Sequence, residues 1–105
     1  MMENTPMRWI TWFDSKEAEA FGRDVAKFII SELAGRMNAH DGKFASKAEK
    51  TMVKAARRLQ DFKAAHPLNF YTRSKLANAF LWALKDAGCP DAYADELTEW
   101  LTLRL

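Results

Sequence analysis

Apolar side chains recur every three or four positions along most of this chain, and the residues that break such a rhythm fall between the periodic runs. That spacing places them on one face of an α-helix and cannot serve a strand, whose faces alternate every second residue. Only four Gly and three Pro occur in 105 residues, too few for the turns of an all-β domain. The chain is therefore expected to be all-α, a single helical domain over residues 1–105 built as a small antiparallel bundle of about four helices.

The first helix is expected over 16–37, with Asp14 or Ser15 as its N-cap and Ala18, Phe21, Val25, Phe28 and Ile29 as its stripe. Gly22 interrupts that stripe at a cost of about 1 kcal/mol relative to Ala, which points to a second helix passing close by. Glu32 and Arg36 stand at the favourable i,i+4 spacing for an ion pair. Asn38 to Gly42 carries turn chemistry, and Ser46 with Glu49 fits a capping box opening a helix over 46–65. Its expected inner face is Ala48, Met52, Ala55, Ala56, Leu59 and Phe62, and Pro67 stops it. A third helix is expected over 72–87, ended by Gly88 at the position where a left-handed residue closes a helix. The fourth, over 91–104, takes Asp91 as its cap and carries Tyr93, Ala94, Leu97, Trp100, Leu101 and Arg104 along one side. Before them, Thr5 to Phe13 is read as a short Trp-rich segment, helical or irregular, packed on the bundle. Its alternation resembles a strand, but the chain offers no second strand to satisfy the backbone groups.

A search for chemistry returns little. Two His and one Cys without ligand spacing write no zinc site, so neither a metal nor a cofactor is expected. His40 reads as a turn residue and His66 as a helix C-cap. Cys89 precedes a helix start, where a thiol can be activated, but Asp86, Asp91 and Asp95 surround it and no base is near. Phosphate-cradling glycine loops and nucleophile elbows are absent from the sequence. Glu96 and Glu99 read as a solvated pair. A non-enzymatic protein is the expectation. The lone Cys, the lack of a basic, apolar leader and the lack of a 20-residue apolar run point to a soluble cytoplasmic chain with no membrane partner.

Charge is where the sequence becomes uneven. The net charge is +2, yet residues 1–42 carry five Lys/Arg against seven Asp/Glu, residues 43–75 nine against two, and residues 76–105 two against five. On a helical wheel Lys47, Lys50, Lys54, Arg57 and Arg58 fall within about 100° of arc, and Lys43 extends the row. Like charges one turn apart repel, so such a face points to an anionic partner, nucleic acid or an acidic protein surface. Asp95, Glu96 and Glu99 give the last helix an acidic face that suits self-association. Trp9, Trp12, Leu81, Trp82 and Leu103 form a second candidate, an apolar contact patch. The leading expectation is an interaction module acting through protein–protein contacts, with a protein partner or a homo-oligomer. Nucleic-acid binding through the basic face is the alternative.

Overall fold

The computed structural model describes the backbone of residues 4–33 and 42–105 and the side chains of 15–33 and 46–105. Four helices follow in order, α1 (Asn4–Leu33), α2 (Gly42–Ala65), α3 (Phe70–Asp86) and α4 (Asp91–Arg104), and no strand occurs among the described residues. The all-α expectation and the number of long helices hold.

Several boundaries differ. The N-terminal segment is not a separate element packed on the bundle; its backbone is the first third of α1. Pro6 sits in the first helical turn, where its missing N–H costs nothing. From Met7 to Phe21 the chain has neither Gly nor Pro, so nothing forces a break. Asp14 and Ser15 consequently lie inside α1 rather than at its N-terminus, and Ser15 is buried. Ser46 likewise lies inside α2, which begins at Gly42, so the Ser46–Glu49 capping box is not formed. The expected extension of the first helix to Met37, and Asn38–Asp41 of the expected Asn38–Gly42 turn, lie outside the described residues; Gly42, expected in that turn, is the first residue of α2.

The third helix opens two residues earlier than expected, on a cap the spacing did not reveal. Asn69 Oδ1 accepts from the Thr72 N–H at 2.8 Å, while Thr72 Oγ1 accepts from the Asn69 N–H at 2.9 Å. This reciprocal box satisfies two orphan donors at once. At its other end Gly88 has φ 91°, and the N–H groups of Gly88 and Cys89 donate to the carbonyls of Lys85 and Leu84, both at 3.0 Å. That is a Schellman closure, with Cys89 as its buried apolar residue beyond the glycine. Asp91 is the first residue of α4 rather than its cap. Pro90 holds the cap position without a side-chain bond, and the Asp91 carboxylate instead faces the positive end of the helix dipole.

Helix directions follow from the pairs they bring together. Glu32 approaches Lys47 and Lys54 at one end of α1, Phe28 meets Arg58, Phe21 stacks on Phe62 at 4.2 Å, and Glu17 meets His66 at the other end. Helix α2 is therefore antiparallel to α1. Glu19 lies by Lys75, and Gly22 lies under Leu76, Ala79 and Phe80, so α3 returns parallel to α1. Helix α4 descends along α3, and Lys63 of α2 donates to the Arg104 carbonyl at 2.7 Å. The result is an up-down-up-down bundle.

The α1–α3 pair is its most intimate contact, with α2 laid on α1 and α4 on α3. Gly22 makes that closeness achievable. A Cβ there would overlap the Leu76 carbonyl oxygen and come within 3.2 Å of the Phe80 nitrogen. Around it Ala18, Val25, Ala26, Ile29 and Leu33 meet Leu76, Phe80 and Leu84, closed by Ala55 and Leu59 on one side and Leu97 and Leu101 on the other. Thirty residues make α1 about 45 Å long, and the molecule is correspondingly elongated, 59 × 24 × 19 Å. No helix among the described residues is long and apolar enough to cross a membrane.

Candidate interaction surfaces

The reactive-residue candidates are held in structural roles. Cys89 fills the α3–α4 closure; burial first, and the Asp91 carboxylate second, push its thiol pKa above the ordinary value. A raised pKa keeps it a thiol, the unreactive form. His66 lies just past α2, its N–H donating to the Phe62 carbonyl at 2.7 Å, and its ring stacks on Phe62 at 4.6 Å. Its Nδ1 lies 3.0 Å from Glu17 Oε1, so the ring clamps the end of α2 to α1 rather than capping carbonyls. Among the described residues no three His, Cys, Asp or Glu gather where a metal ion would sit. His40 lies outside them.

The basic face of α2 is one face in sequence and two in space. Lys47 and Lys54 both lean toward Glu32 Oε1, each at 3.9 Å, while Arg36, its expected partner, lies outside the described residues. Arg58 lies flat over the Phe28 ring, 4.0 Å from its centroid. These three cations thus help attach α2 to α1. Lys50 and Arg57, two turns apart, point outward with no partner among the described residues, and exposed Val53 stands between them. The Lys43 side chain is not described.

The apolar candidates do not form one patch. Leu81 is half-buried and packs on the core, while Trp82 is 58% exposed on the other side of α3. Leu103 is 78% exposed near the end of α4, which antiparallel pairing places beside the start of α3, far from Trp82 along the bundle axis. The side chains of Trp9 and Trp12 lie outside the described residues.

Trp82 borders a cleft of about 480 Å³ between α1 and α3, lined by Arg23, Lys27, Ala79, Trp82, Ala83, Asp86 and Ala87. Three alanines make its floor, because small residues are what let α1 and α3 approach; the same economy leaves a furrow beside the indole. The Lys85 ammonium sits 5.5 Å from the ring centroid, holding the indole at the rim. A second furrow, about 280 Å³, runs between α3 and α4 beside Phe70, which is 85% exposed. Phe70 was not among the sequence candidates. Its apolar type was legible, but as the first residue of α3 it precedes the stripe that periodicity detects.

No protein-family model matches the chain, and no curated protein and no solved structure matches it.

Proposed function

We propose that this protein is a small non-enzymatic helical interaction module that acts through protein–protein contacts, using the Trp82 cleft between α1 and α3. One observation carries the reading: a large indole held exposed at the rim of an apolar furrow, with Arg23 and Lys27 on one bank and Asp86 on the other. Exposed Trp is costly in contact with water, and Trp and Arg in a concave, alanine-floored site are the residues on which interface energy concentrates. Self-association is one form such contacts take. A single unpaired thiol fits a reducing compartment, and we place the protein in the cytoplasm on that ground.

Nucleic-acid binding through α2 ranks below this reading. Of the five described cations on its basic face, three are engaged with Glu32 and Phe28, and two outward charges neutralise few phosphates.

Affinity capture from cell lysate with the wild-type chain and with Trp82→Ala tests the proposal. Both baits should show the same helical circular dichroism, because the indole is more than half exposed. A partner retained by the wild type and lost by Trp82→Ala is the expected result. Identical sets of captured proteins would remove the cleft from the function.

A further inference from the structure

The two flanking helices carry opposite charge outward. Helix α2 presents Lys50 and Arg57 with Val53 between them, and exposed Asp61 one turn beyond Arg57 is the acid on that side, leaving the face net positive. Helix α4 presents Asp95 and Glu99 on the line opposite buried Ala94, Leu97 and Leu101, with exposed Glu96 and Leu103 alongside. Neither Lys50 nor Arg57, and none of the three α4 carboxylates, has an ion-pair partner among the described residues.

Each face is also strained within itself. Asp95 with Glu99 is a like-charge pair at i,i+4, the spacing at which repulsion destabilises a helix. Lys50 with Lys54 is another, offset in part by Glu32 at 3.9 Å from Lys54, while exposed Asp61 stands one turn beyond Arg57. Surface helices avoid such pairs by mixing signs, as α1 does with Arg23, Asp24 and Lys27. An opposing face of opposite sign relieves both repulsions together, and each face carries an exposed apolar residue, Val53 or Leu103, to exclude water at the contact.

We propose that the outer face of α2 on one copy of this chain docks against the outer face of α4 on a second copy. The contact is distinct from the Trp82 cleft and does not depend on it. It is heterologous, since the two surfaces differ, so the second copy keeps its own α2 face free and assembly continues into a ring or a filament. One pair of helix faces buries less than the roughly 1,200–2,000 Å² of a stable complex. Association is therefore weak, concentration-dependent and salt-sensitive.

Sedimentation equilibrium of the full chain across a wide concentration range, at about 0.05 M and about 0.5 M salt, tests this with five proteins, Trp82→Ala among them. The wild type should rise above its 12.0 kDa monomer mass at low salt and fall back toward it at high salt. Lys50→Glu with Arg57→Glu should weaken association at least about tenfold, and Asp95→Lys with Glu99→Lys should do the same, because each sets like charges face to face. Combining all four substitutions exchanges the signs and should restore association. All these positions are exposed, and circular dichroism reports whether each variant keeps its helices. A wild type that stays monomeric, single-face variants that associate as the wild type does, or a folded four-fold variant that fails to recover would each overturn the proposal. Association lost in Trp82→Ala but kept in both single-face variants would assign self-association to the cleft instead. A monomeric wild type that shifts mixed-sequence DNA, with Lys50→Glu and Arg57→Glu abolishing the shift, would give the α2 face to nucleic acid and likewise overturn it.

Discussion

Two single positions in the core respond to substitution in opposite directions. At Gly22 an added methyl gains about 1 kcal/mol of helix propensity. It meets the Leu76 carbonyl, however, and that atom belongs to the α3 backbone and moves only if the helix moves. Overpacking against backbone wins, so Gly22→Ala should lower stability by about 1–3 kcal/mol in urea unfolding. Thr51 is the converse case. It is 1% exposed, and its hydroxyl has no hydrogen-bond partner among the described residues. A buried orphan hydroxyl costs free energy that an isosteric methyl does not. Thr51→Val should therefore raise stability by about 1 kcal/mol, read as a higher urea midpoint at unchanged slope. A lower midpoint would reveal a partner for the hydroxyl. Periodicity marked the Gly22 closeness in advance because glycine interrupts an apolar stripe for few other reasons. It missed Thr51 because a hydroxyl on an inner face reads as polar.

At the scale of elements, ends were harder to foresee than stripes. The Gly88 stop was legible, since a glycine followed two residues later by proline ends a helix by backbone geometry alone. The starts were not. Ser46–Glu49 and Asp14–Ser15 have cap chemistry, yet a cap forms only where the helix begins, and α2 begins at Gly42 and α1 at Asn4. The Schellman closure also ties stability to pH. The thiol pKa of Cys89 is raised by burial and then by Asp91, and the phenol of Tyr93 by burial, then Cys89, then Glu96. Each group holds its proton to higher pH folded than unfolded. Their contribution is complete below about pH 7.5, a unit under the ordinary thiol value, where both are protonated in either state, and is lost as pH rises through the folded values. Stability measured in urea from pH 7 to 10.5 should thus begin to fall at about pH 8 and fall more steeply above about pH 9. Cys89→Ala should make that fall shallower while leaving the part due to Tyr93. An unchanged slope would show that the thiol is not the group titrating.

For the whole molecule, α1 and α3 form the centre and α2 and α4 flank it. Amide exchange should be slowest at residues 25–33 of α1 and 76–84 of α3, where Ile29, Leu33, Leu76, Phe80 and Leu84 are fully buried, and faster at the ends of α2 and α4. Uniform protection across the four helices would contradict this two-layer stability. What the sequence by itself determined is the local part: helix as the only regular structure, the inner face of each helix and the Gly88 stop. All of these depend on spacing and backbone conformation within a few residues. Which helices meet, and what that leaves outside, only the tertiary structure decided. A wheel drawn for α2 groups five cations on one arc, but three of them reach Glu32 and Phe28 of another helix. Trp82 and Leu103 share an apolar character that sequence grouped, yet antiparallel descent of α4 sets them at different ends. Such partners lie tens of residues apart along the chain, and the free energy of their contact is a property of the packed bundle rather than of either segment.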